Sequence, residues 1–279
     1  MSKLITSDEQ LRLHLPNIIG TVKGETPFIE RLSLFLDLAE DWVRTTFCST
    51  STFNTICDYT DTNPIKILTA RLIVADALHR AIPSLDIVLS PNGFAVVNTS
   101  NLAPASTARV DRLVVSMLAH RDDCIAALLP ELPGASKWLA SSQAQFFGAT
   151  LFPDFALVDS VGVATGPKWE KYLELRSQVI DLEASLAEEW LSPELMSALR
   201  SENLRSDLTE KRKEIVRQTQ AQIVGYLKGG SFNSRRLADI VNFIRQDESA
   251  FKEWHGSDVA KLFAPPVFTN KKNSAGYFF

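Results

Sequence analysis

Residues 63–83 read NPIKILTARLIVADALHRAIP. Asn63 followed by Pro64 is a helix start, because an asparagine side chain caps free backbone N–H groups and proline suits the first helical position. Pro83 ends the run, since its ring clashes with a preceding helical turn. Between them Leu68, Leu72, Ala75 and Leu78 recur at helical spacing, and Arg71 and Asp76 punctuate a segment that is otherwise largely apolar. Such a helix has few solvent-tolerant positions and is expected at the centre of a helical bundle.

Upstream, Ser7-Asp8-Glu9-Gln10 has the pattern of a capping box opening a short helix that Pro16 closes. Thr26-Pro27 starts a longer helix to about Phe47, with Phe28, Leu32, Phe35, Leu36, Ala39, Trp42 and Val43 inward. Downstream, the period changes from helical to alternating. Asp86-Ile87-Val88-Leu89 and Phe94-Ala95-Val96-Val97 flank Ser90-Pro91-Asn92-Gly93, a strong turn signal. A β-hairpin arm over 86–98 is therefore expected between two helices. A helix over 105–129 and a short one near 136–140 follow, and 141–166 reads as irregular.

The second half opens at Gly166-Pro167. Helical spacing runs from 168 to 190, and Ser192-Pro193 starts another helix expected to continue to Leu227, before Gly229-Gly230. The two form a long antiparallel helical hairpin, followed by a helix at 234–246. The expected fold is mainly α: a helical core over 1–160 carrying the hairpin arm, a long helical region over 167–256, and an extended tail over 257–279 ending in Tyr277-Phe278-Phe279. No internal repeat or low-complexity tract is visible.

Composition narrows the function. The 279 residues are 45% hydrophobic and 22% charged, with a net charge of −4. That is globular usage, without the basic excess of a general nucleic-acid binder. Residues 1–166 carry 12 basic and 17 acidic side chains, leaving 17 and 16 in 167–279. Cys48, Cys57 and Cys124 are an odd set with no paired spacing, as expected of reduced thiols in a chain made in the cytoplasm. Neither a secretory leader nor a membrane-spanning run is expected.

Catalytic patterns are missing. His14, His79, His120 and His255 are scattered, with no metal-ligand spacing among them. Asp122-Asp123 and Glu188-Glu189 are adjacent pairs, which do not share a helix face, and both read as solvated surface. Gly162 to Lys168 has the wrong glycine spacing for a phosphate loop. No cofactor or metal is expected and the chain reads as no enzyme, acting instead by assembly and contact; an enzyme without a recognisable motif stays open as an alternative. Lys211, Arg212, Lys213 and Arg217 form the main basic cluster, flanked by Glu210 and Glu214, and are the candidate DNA contacts. Phe94, Val96 and Val97 of the hairpin, and Phe268, Tyr277, Phe278 and Phe279 of the tail, are candidate interface residues, able to pair a strand or seat aromatic anchors on a neighbour.

The run from Asp86 to Val97, followed by Asn101-Leu102-Ala103-Pro104-Ala105-Ser106 and Arg109-Val110, resembles an uncharacterised family of structural proteins from phages and prophages of gut anaerobes. The closing Asn270-Lys271-Lys272-Asn273-Ser274 and Gly276-Tyr277-Phe278-Phe279 resemble the end of the same proteins. The helix set with one β-arm is similar in architecture to the head–tail connectors (adaptors) of tailed phages. That resemblance implies a virion protein of the neck, made in the host cytoplasm and assembled as a dodecameric homo-oligomeric ring. It would bind the portal protein and a tail or second neck protein, contact passing DNA non-specifically, and need no membrane. A nucleic-acid-binding packaging accessory factor is the alternative that the basic cluster leaves open.

Overall fold

A computed structural model of the chain describes residues 3–15, 26–85, 87–90, 93–96, 106–162 and 166–264, with only the backbone described for the two strands. The fold is mainly α. In chain order the elements are α1 (Asp8–His14), α2 (Phe28–Val43), α3 (Thr50–Cys57), α4 (Pro64–Ala81), β1 (Ile87–Ser90), β2 (Gly93–Val96), α5 (Thr107–Leu128), α6 (Ser142–Phe147) and α7 (Ala156–Val161). They continue as α8 (Lys168–Leu186), α9 (Pro193–Arg205), α10 (Glu210–Leu227), α11 (Ser234–Arg245), α12 (Lys252–His255) and α13 (Asp258–Leu262). The chain divides into two compact units, Met1–Val179 with Leu204–Ser206, and Ile180–Asn203 with Asp207–Phe279.

In the first unit α4 is the central helix, packed against α2 and α5. Asn63 Oδ1 caps it by accepting from the N–H groups of Ile65 and Lys66, at 2.9 and 3.3 Å. Its residues Leu72 to Ala77 are almost completely buried, Asp76 among them. Each fully buried Leu or Ile there contributes about 1.5–3 kcal/mol relative to exposure. β1 and β2 pair antiparallel between α4 and α5, with Ile87 opposite Val96 and Leu89 opposite Phe94.

Several expectations need correction. The helix begun at Phe28 stays α-helical only to Val43, then widens into a π-helical turn over Arg44–Cys48. Ser49 closes that turn at φ 70, ψ 155, a backbone region that essentially only glycine occupies without strain. Its hydroxyl accepts from Thr52 N–H and starts α3, a helix the sequence pattern does not announce. The stretch 141–166, expected to be irregular, contains α6 and α7. The second arm of the expected helical hairpin is not one helix to Leu227. It ends at Arg205, passes through Ser206 at φ 58, and restarts at Glu210, where Thr209 Oγ1 caps the N–H of Arg212.

Some local features of the first half recur later in the chain. α8 too ends in a π-helical turn, Ala187–Leu191, closed by Ser192 at φ 66, ψ 145. Ser192 Oγ accepts from Leu195 N–H at 3.2 Å, three residues on, just as Ser49 Oγ accepts from Thr52 at 3.3 Å. The next helices bury matching positions: Thr52, Phe53 and Ile56 in α3, and Leu195, Met196 and Leu199 in α9. α4 and α10 are both 18 residues long and bury a polar side chain at the same turn, Asp76 and Gln222. Cys124, Ile125 and Leu128 of α5 are buried like Ile240, Val241 and Ile244 of α11.

The match is closest where each π turn is sealed. Trp138 Nε1 donates to the Phe47 carbonyl at 2.6 Å, and Trp254 Nε1 to the Trp190 carbonyl at 2.9 Å. Three residues after each tryptophan a serine caps a short helix, Ser141 accepting from Ala144 N–H and Ser257 from Ala260 N–H. Phe147 then stands 6.4 Å from the Trp138 ring and 6.0 Å from Phe47. Phe263 stands 6.1 Å from Trp254 and 5.7 Å from Trp190. One clear difference separates the two. Residues 82–106, which include β1 and β2, connect α4 to α5, whereas residues 228–233 suffice between α10 and α11.

Candidate functional site

Among the described residues no group of His, Cys, Asp and Glu could hold a metal ion, and no helix is long and apolar enough to cross a membrane. All three cysteines are free thiols. Burial pushes Cys48 up to about 12 and Cys124 up to about 11, so both stay protonated and poorly nucleophilic at neutral pH. Burial first, and Arg71 second, lower the pKa of His14, which lines a cleft of about 280 Å³ with Leu4, Leu13, Ile67 and Arg71. His79 is lowered mainly by burial as well.

Asp122 does not belong to a solvated acid pair. It is buried, and its carboxylate accepts from Arg121 at 3.1 Å and from the Lys168 N–H at 2.5 Å, where it meets the positive end of α8. Burial nevertheless raises its pKa against the pull of Arg121. Arg121 also donates to Glu170 at 3.0 Å and lies 5.6 Å over the Trp42 ring, while Arg80 lies 5.9 Å from that ring and bonds Asp76 at 2.6 Å. This buried network ties α2, α4, α5 and the start of α8 together. Most of its groups are paired with one another, which fits a structural role, although Asp76 Oδ1 lacks a hydrogen-bond partner and stands 4.0 Å from Arg121.

The basic cluster of α10 is split by the fold. Arg212 is buried and donates to Glu202 at 2.5 Å, Glu253 at 2.7 Å and the Ala250 carbonyl at 3.0 Å. It therefore does not face solvent as a DNA contact would. Lys211, Lys213 and Arg217 are exposed, with carboxylate partners in Asp247, Glu210 and Glu214 respectively. Arg217 also lines an open cleft of about 370 Å³ together with Gln218, Gln222, Arg236 and Asp239. Arg236, close to the cluster in sequence together with Arg235, thus lines the same cleft as Arg217.

Of the candidate interface residues, Phe94 and Val96 lie on β2, while Val97, Phe268, Tyr277, Phe278 and Phe279 fall outside the described residues. A second surface emerges on α2, where Leu34 and Leu38, one helical turn apart, are 63% and 47% exposed. Glu30, Asp37 and Asp41 share the exposed side of that helix. Sequence reasoning assigned α2 its inward residues and passed over these leucines, although their i, i+4 spacing was the available signal.

Residues 27–148 match a family of unknown function (DUF6712), somewhat less than half of the chain. No curated protein and no solved structure matches the chain. The matched segment runs from the N-cap of α2 to the end of α6, so the chain is similar to that family over α2 to α6, with α8 to α13 lying beyond it.

Proposed function

We propose that the chain is a structural protein of a virion, a head–tail connector that assembles as a ring between portal and tail and conducts DNA without catalysis or cofactor. The observation that carries this reading is the hairpin between α4 and α5. Among the described residues the sheet has two strands, so each strand has one edge without a partner. An isolated two-stranded ladder is marginal in water, and open edges invite a strand from another chain. An arm of this kind, set between two long helices, suits a subunit that completes its sheet on a neighbour. Phe94, Val96 and Val97 are its contacts, and Tyr277, Phe278 and Phe279 are further anchors. The ring is proposed as a dodecamer bound to the portal protein on one side and a tail or second neck protein on the other.

Quantitative mass spectrometry of purified virions tests this by counting the chain against the major capsid protein. A low, fixed copy number supports the connector, and absence from the particle overturns it. A second reading, a packaging accessory factor that binds nucleic acid, is favoured by the Arg217–Arg236 cleft. Under that reading, neutralising Lys211, Lys213, Arg217 and Arg236 together flattens the salt dependence of DNA affinity. An unchanged slope removes it.

A further inference from the structure

The family match stops at residue 148, and particular local features of the segment it covers appear again beyond it. We infer that the chain is a tandem duplication of one helical module, and that the aromatic seat closing the second module takes the chain's own Val267-Phe268 pair.

The duplication rests on features that general helical packing does not produce. Serine at positive φ with ψ near 150° is uncommon, because the side chain meets the neighbouring backbone there. Here it follows a π-helical turn twice, at Ser49 and Ser192. The tryptophan seal is equally particular. Trp138, Ser141, Ala144 and Phe147 correspond to Trp254, Ser257, Ala260 and Phe263 at one constant offset of 116 residues. The same offset carries Cys124, Ile125 and Leu128 onto Ile240, Val241 and Ile244. Backbone bonds follow it as well. Trp138 N–H donates to Ala135 and Ser141 N–H to Trp138, as Trp254 N–H does to Phe251 and Ser257 N–H to Trp254.

The seat follows from what differs in burial. In the first module Phe47 and Phe147 are wholly buried, and Leu151 and Phe152 are buried directly after them. The Phe152 carbonyl accepts from Tyr172 Oη at 3.0 Å, and the rings of Phe155, Trp169 and Tyr172 complete the cluster around Phe147. In the second module Trp190 and Phe263 are only half-buried and Leu262 is 74% exposed among the described residues. At the offset of 116, Leu151-Phe152 falls on Val267-Phe268. The residues that would cover this seat are thus present in the chain, of matching chemistry and at matching distance from the tryptophan. Phe268 is assigned to its own module. The inference does not depend on the virion reading.

Hydrogen exchange on the full-length chain tests it, comparing wild type with Phe268→Ala and Phe268→Leu across a range of protein concentrations. Phe268→Ala should speed exchange about tenfold or more in residues 187–191 and 254–263, leave α2 to α6 unchanged, and do so at every concentration. Phe268→Leu should restore most of the protection, which separates loss of packing from general misfolding. Unchanged exchange in 254–263 would overturn the assignment. So would wild-type protection that appears only as concentration rises, since the seat would then be filled by a second copy.

Discussion

Replacing Trp138 and Trp254 in turn by phenylalanine interrogates the twin seals directly. Each change removes an indole N–H and leaves a π-turn carbonyl without its donor, while an aromatic ring stays in place. In the first module the acceptor is the carbonyl of Phe47, a residue with no exposed surface, and the bond is 2.6 Å long. A buried acceptor left unpaired costs about 1–3 kcal/mol, and the unfilled space beside a shortened ring adds about 1 kcal/mol. Trp138→Phe should therefore destabilise the first module by about 3 kcal/mol. Trp254→Phe should cost less, about 1–2 kcal/mol, because its bond to the Trp190 carbonyl is longer, at 2.9 Å, and only part-buried. Urea unfolding followed by circular dichroism gives the totals, and hydrogen exchange assigns each loss to its module. At about 2–4 °C per kcal/mol, Trp138→Phe should lower Tm by roughly 6–12 °C. A Trp138→Phe loss below about 0.5 kcal/mol, or a larger loss from Trp254→Phe, would refute the reasoning that these bonds seal equivalent turns.

Three other outcomes are expected. Arg212→Met should cost about 2–3 kcal/mol in urea unfolding, because it strands Glu202 and Glu253, while a large effect on DNA binding with unchanged stability would contradict its structural placement. Ser192→Gly should be neutral or stabilising by up to about 1 kcal/mol, since glycine accepts the positive φ, whereas Ser192→Ala keeps the strain, loses the cap and should cost about 1–2 kcal/mol; equal effects in thermal melts would count against the strained cap. Burial raises the pKa of Glu40 above 4.5 despite its bond to Arg44, so the folded state holds this proton more tightly than the unfolded state does. Its contribution to stability is then greatest at low pH and declines as pH rises from about 4.5, and the stability difference between Glu40→Gln and wild type should move in favour of glutamine over that rise; a flat difference would contradict the raised value.

The central helix was readable because its signals are local. Asn63-Pro64 and Pro83 bracket it, and a run from Leu72 to Ala77 has no solvent-tolerant position apart from Asp76. The break between α9 and α10 was harder, because Arg200 to Glu214 is polar enough to pass for a solvated helix and Ser206 gives no warning of a positive φ. α3 was hidden for the same reason by Ser49. The duplication escaped because its identities are sparse and its register slips. Ser49 and Ser192 are farther apart than Trp138 and Trp254, since the second module lacks the residues that hold β1 and β2. Burial is kept where chemistry is not: Arg121, deep in an ionic network, stands at the position of the apolar Leu237. The division of the basic cluster was illegible in sequence, because the acids that claim Arg212 come from Glu202 and from Glu253 of a later helix.

The short link between α10 and α11 changes what a count of chains means. On the inferred duplication, a π turn and tryptophan seal form in a module without two strands between its long helices, which makes the arm an addition to the helical build rather than a part of it. Selection on the arm is thereby separated from selection on the scaffold. In any assembly of these chains, helical modules would outnumber arms two to one. The sockets available to a partner that recognises the arm would follow the chain number alone.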